Sequence, residues 1–254
     1  MIDPLRDLDL LRKATDRLLA TARTLGDGGD RTGDGGDGGS TGNNAALAGP
    51  SRLPGWTRGH VLAHIARNAD ALVNVLEGRP MYPSAEAREA DIERDAGRPL
   101  DVQLADVRDS AARLAAVGAR PADWNRTVAL RNGVTDRAAR IPFRRLVEIE
   151  LHHVDLDAGV VLEDLPEEFL LRETAFLAER FTGHPDVPPT LITAAGGLGS
   201  WTTGRAAGSE GPHTVEGPAA SLVGWLAGRR GDDPALRAAT ADGTPAAPPA
   251  LPPL

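Results

Sequence analysis

Glu148 and His152 stand four residues apart in the run Glu148-Ile149-Glu150-Leu151-His152-His153-Val154-Asp155. On a helix that spacing projects both side chains from one face. A carboxylate and an imidazole so placed can grip one divalent metal ion. A second helix-like run, Trp56-Thr57-Arg58-Gly59-His60-Val61-Leu62-Ala63-His64, can supply a third ligand from His60 or His64, which are also four apart. Two histidines and one glutamate leave a coordination position open for water or substrate. The chain has no cysteine. Thiol chemistry at such a metal therefore needs a thiol from outside.

The helix that carries the pair is the element to place first. On a helical wheel Arg144, Glu148, His152 and Asp155 form one polar stripe, and Phe143, Val147, Leu151 and Val154 lie beside it on the apolar arc. A polar stripe bordering a core is costly unless it is paired or metal-bound. Glu150 and Arg145 lie elsewhere on the wheel and suit a solvated face. His153 sits about 100° around from His152 and is not expected in the same site. His184 and His213 read as ordinary histidines.

The other elements follow from periodicity. Leu5, Leu8, Leu11, Ala14, Leu18, Leu19 and Ala22 predict a helix over 5–25. The run 26–44, rich in Gly, Asp, Ser, Thr and Asn, offers almost nothing to bury and reads as a flexible insertion. Its aspartates lack the closing glutamate of an EF-hand loop. Thr57 is a good N-cap for a helix over 58–77, and Gly78-Arg79-Pro80 stops it. The stretch 81–88 reads as a loop. A third long helix is predicted over 102–117, with Leu104, Val107, Ala111, Leu114 and Ala115 inward. The Glu/His helix is expected over about 135–156, ending near Gly159, and a further helix over 166–181. Beyond the proline-rich break at 185–189 come short strand-like pieces at 190–195, 200–203 and 214–216, then a helix over 219–227. The fold class expected is α+β: a four-helix bundle over 1–183, then a small α/β domain over 184–254 with a disordered Pro/Ala tail.

Composition excludes several classes. A net charge of −8 and a pI near 5.3 leave no basic surface for general nucleic-acid binding. Lys13 is the only lysine. Without cysteine there is no disulfide, thiolate ligand or cysteine nucleophile. No apolar run approaches the ~18 residues of a membrane span, and the start Met1-Ile2-Asp3-Pro4 has no signal-peptide pattern. A cytoplasmic protein without a membrane partner is expected, as a monomer or weak homodimer.

The run 53–66, Leu53-Pro54-Gly55-Trp56-Thr57-Arg58-Gly59-His60-Val61-Leu62-Ala63-His64-Ile65-Ala66, resembles the opening motif of the mycothiol-dependent maleylpyruvate isomerase family, a group of DinB-like metal-binding bundles. Met81-Tyr82 with Arg88, then Ile92-Glu93, resembles its next loop. The run from Arg145 to Leu156 resembles its Glu/His helix. The run Val215 to Arg229 looks like its C-terminal, sterol-carrier-protein-like domain. The resemblance implies a Zn²⁺ site made by His64, Glu148 and His152; it favours His64 over His60 because His64 holds the Leu-Ala-His position. It implies that Arg88 and the pair Arg229/Arg230 act as catalytic arginines on acidic substrate or cofactor. It implies mycothiol as cofactor, a small cysteine-bearing sugar thiol, and a small acidic substrate. Thiolate addition to maleylpyruvate, bond rotation and elimination would give fumarylpyruvate. The alternatives are a mycothiol S-transferase acting on another electrophile, a non-catalytic metal-containing binding protein, and a hydrolase using metal-bound water.

Overall fold

The computed structural model describes residues 2–27, 45–120, 122–205 and 211–253. Of the expected insertion over 26–44, residues 28–44 lie outside the described residues. The chain forms two compact units, Met1–Val160 and Val161–Leu254.

The first unit holds α1 (Pro4–Asp27), α2 (Arg58–Leu76), α3 (Ala85–Ala96), α4 (Leu100–Gly118) and α5 (Ile141–Asp155). Helix α1 packs on α4 and α5, and α2 packs on the same two helices, which closes a four-helix bundle; α3 lies against α2. Leu18, Leu62, Ile65, Leu114, Ile141 and Ile149 are among its fully buried side chains. Burying each contributes roughly 1.5–3 kcal/mol.

Three features of this unit depart from the sequence reading. Ser84 caps α3 by accepting from Ala87 N at 3.1 Å, so part of the stretch read as a loop is helical. A hairpin of β1 (Thr127–Ala129) and β2 (Thr135–Arg137) precedes α5, and its second strand occupies the start of the region expected to be helix. Its turn uses Asn132 and Gly133 at positive φ, which Asn-Gly tolerates better than other pairs. Arg144 Nε donates to Asp136 Oδ2 at 2.7 Å and ties the hairpin to α5. On α4, Gln103 and Ser110 are buried, whereas Ala111 is only half-buried and Ala115 is exposed.

The largest correction concerns α5. Arg145 and Glu150, expected on a solvated face, are 0% and 1% exposed. The cause is the helix's position: α1 packs on one side of it and α2 on another. Glu150 meets Arg17 of α1 at 2.5 Å, and His153 Nε2 meets Thr21 Oγ1 of the same helix at 2.8 Å. Arg145 meets Asn68 of α2.

The second unit begins before the expected boundary at 183–184. Helix α6 (Glu167–Arg180) belongs here, because it packs on α7 (Ala219–Leu226) and on β4 (Gly199–Thr203). The sheet has the order β4, β3 (Thr190–Ala194), β5 (His213–Gly217), β6 (Arg237–Ala239), β7 (Pro245–Ala246). Strands β3 and β5 are parallel; the other pairs are antiparallel. The Pro/Ala tail is correspondingly more ordered than its composition suggests: β7 pairs with β6, and Pro249 O accepts from Trp225 Nε1 at 2.9 Å. Among the described residues no helix is long and apolar enough to cross a membrane.

Candidate metal centre

Helices α2 and α5 run antiparallel, with the entry to α2 fastened to the end of α5. Arg52 N donates to Asp155 O at 2.8 Å, Arg58 Nε to Leu156 O at 3.1 Å and Arg58 Nη2 to Asp157 O at 2.9 Å. Donors at a helix C-terminus satisfy its free carbonyls and suit its dipole. This register sets His64 opposite Glu148 and His152, and Asn68 opposite Arg145 one turn further on.

One ligand atom from each of His64, Glu148 and His152 lies within 4.8 Å of the other two. Glu148 Oε2 receives both imidazoles, His64 Nε2 at 2.9 Å and His152 Nε2 at 3.2 Å. The rings meet edge-on with centroids 4.8 Å apart. A mixed nitrogen and carboxylate set of three suits Zn²⁺ or a similar divalent ion with one position left open.

Supporting groups fix both histidines. His152 Nδ1 bonds Asp155 Oδ2 at 2.9 Å, and Asp155 is fully buried. A carboxylate behind an imidazole sets the ring's orientation and leaves Nε2 to face the site. Arg88 Nη2 donates to His64 Nδ1 at 3.1 Å. Trp56 lies against His64 with centroids 5.4 Å apart. Tyr82 sits under the Arg88 guanidinium, 5.9 Å from its ring centroid, within cation–π range.

The electrostatics separate the two histidines. Burial pushes His64 down to about 4, against the pull of Glu148. Burial also acts against the His152 cation, but hydrogen bonds to Asp155 and Glu148 outweigh it and raise its pKa. Burial pushes the Glu148 carboxyl up, yet the two imidazoles hold it well below the usual range. The free site is thus a neutral His64, a carboxylate and a proton-retaining His152.

His60 is used elsewhere. It forms a capping box with Thr57: His60 N donates to Thr57 Oγ1 at 3.3 Å, and His60 Nδ1 accepts from Thr57 N at 3.2 Å. Its Nε2 faces Glu93 Oε2 at 3.0 Å. Both ring nitrogens are therefore engaged away from the Glu148 cluster.

Residues 40–157 match the family described as Mycothiol maleylpyruvate isomerase N-terminal domain. That stretch, a little under half of the chain, is what is similar to the family's N-terminal domain. A crystal structure of a mycothiol-dependent maleylpyruvate isomerase aligns with a TM-score of 0.77 at 25% identity, covering 98% of this chain and 97% of that one. A histidine-to-alanine variant of a mycothiol-dependent maleylpyruvate isomerase aligns with the same score and coverage at 24% identity. A search of curated proteins finds no match.

Within the matched stretch, Arg88 joins the cluster through His64. Arg229 and Arg230 lie in the second unit and have partners there. Arg230 forks onto Glu163 at 2.6 and 2.7 Å and reaches Asp233 at 3.1 Å. Arg229 Nη1 donates to Ala227 O at 2.7 Å, a carbonyl at the end of α7. Sequence reasoning missed the supporting roles of Trp56 and Tyr82 and the Asn68–Arg145 pair. Asp155 lay on the predicted stripe, and its i,i+3 spacing from His152 was the available signal.

Proposed function

We propose that the protein is a mycothiol-dependent isomerase that converts maleylpyruvate to fumarylpyruvate, using one divalent metal, best matched by Zn²⁺, at His64, Glu148 and His152. The observation that carries this reading is the convergence of those side chains from two helices, in a fold aligned over 98% of the chain with an isomerase of that name. The metal, when bound, lowers the pKa of a coordinated thiol and so supplies a thiolate at neutral pH.

The chain's residues account for the rest. Asp155 holds His152 with Nε2 toward the site. Arg88 offers a planar cation, steadied by the Tyr82 ring and by Glu89, and a guanidinium suits a substrate carboxylate bidentately. Attack of the thiolate sulfur on the conjugated carbon forms a C–S bond and sends the π electrons onto the adjacent carbonyl oxygen. Arg88 stabilises that enolate charge. Rotation about the resulting single bond, re-formation of the carbonyl and departure of the thiolate restore the double bond in the trans form. No oxidant, reductant or net proton is consumed.

The test is to incubate the metal-loaded protein with mycothiol and maleylpyruvate and follow fumarylpyruvate. Turnover that needs both thiol and metal is expected. No turnover by fully loaded protein overturns the reading. A persistent thiol conjugate instead identifies an S-transferase, and thiol-independent turnover of an ester identifies a hydrolase.

A further inference from the structure

Arg145 is a fully buried cation that forms no ion pair among the described residues. Its side chain is 0% exposed. Nη1 donates to Asn68 Oδ1 at 2.9 Å, a neutral partner. Nη2 is buried and has no hydrogen-bond partner among the described residues. Burial pushes the guanidinium down to about 10, so it keeps its charge at neutral pH; Glu148 opposes that shift most, followed by Tyr82 and Asp70. A buried charge lacking a close partner is expensive and is kept only where something offsets it. In the metal-free protein the foremost offset is Glu148, one turn along α5.

A divalent ion held by Glu148 claims that same carboxylate. The neighbourhood then contains the ion, Arg145 and Arg88, against Glu148, the Asp155 carboxylate behind His152 and the Glu89 carboxylate on Arg88. Positive charge is left over in a region of low dielectric, where it attracts an anion strongly.

We propose that Arg145 is a positioning residue that couples the two binding events: its uncompensated charge makes the centre bind metal more tightly when a small anionic ligand binds with it. The proposal rests on the metal reading above. The coupling is reciprocal, so anion affinity rises by the same factor once metal is bound. Asn68 serves this by holding the guanidinium without neutralising it, which an aspartate in its place would not do.

The experiment measures Zn²⁺ affinity by competition with a chromophoric chelator, with and without maleate as a cis-dicarboxylate probe. Chelation of zinc by maleate itself is subtracted from a protein-free titration. In the wild type, maleate should tighten zinc binding by about tenfold, within the usual range of coupling between sites. R145M should bind zinc about tenfold more tightly without maleate, and its coupling should fall to about twofold or less. N68D, which sets a carboxylate on the same guanidinium, should change both quantities in the same direction, and it tests the idea even where R145M fails to fold. R145K keeps the charge and should keep the coupling. Wild-type coupling in R145M or N68D, or no coupling in the wild type, overturns the proposal. Failure of the wild type to bind zinc at all overturns the metal reading instead.

Discussion

His152 is held between two carboxylates, Asp155 at 2.9 Å on one nitrogen and Glu148 at 3.2 Å on the other. Its pKa is raised, so it keeps its proton to higher pH than an ordinary histidine. A metal must displace that proton. The sign follows: tight binding is present above the raised pKa and is lost as pH falls through it. Zinc affinity should weaken by up to about tenfold per pH unit as pH falls through that raised value. Asp155→Asn removes one cause of the raised pKa and should make that dependence shallower, while loosening the ring and weakening zinc by about 10- to 100-fold. A chelator titration across pH checks both. His64 gives the opposite contribution to stability of the metal-free protein. Its folded value of about 4 lies below 6.5, so the unfolded chain takes the proton first and this residue's contribution declines as pH falls from about 6.5 toward 4.

The elements hold these residues through their ends. Thr57 caps α2 and shares its capping box with His60, which separates the two histidines by role. Thr57→Ala should lower stability by about 1 kcal/mol, measured by denaturant unfolding, and leave one metal per chain. His60→Ala should likewise retain metal, whereas His64→Ala, Glu148→Ala and His152→Ala should each lose it on metal analysis. Loss in His60→Ala alone would move the ligand to that residue. The i,i+4 pair, the cap of α2 and the bundle itself were legible because periodicity and capping are local signals. The hairpin was marked by Asn132-Gly133, but strands of three residues on either side show too little alternation to register. Helix α3 was hidden because only Ile92, Asp95 and Ala96 are buried on it, which gives little periodicity. Arg145 and Glu150 were misread because a wheel shows one helix alone, and α5 is covered from more than one side.

At the scale of the molecule, α6 packs with the C-terminal sheet although its sequence reads like another bundle helix; periodicity reports an apolar face but not its partner. Arg229 and Arg230, which the family resemblance implies as anion ligands, each have a local use. Arg230→Ala removes the fork to Glu163 and the contact with Asp233. Arg230 and Glu163 are partly exposed, so the loss should be about 1 kcal/mol or less, with kcat/KM per folded molecule unchanged. A fall of tens-fold in kcat/KM would place Arg230 on the substrate instead. The central claim is that one metal at His64, Glu148 and His152 takes an external thiol as thiolate. Cobalt substitution tests it most directly, because a thiolate bound to Co²⁺ gives a sulfur-to-metal charge-transfer band. One cobalt per chain and a band that saturates at one equivalent of mycothiol are predicted, with both absent in His152→Ala; one cobalt per chain and no band at saturating thiol would contradict the account.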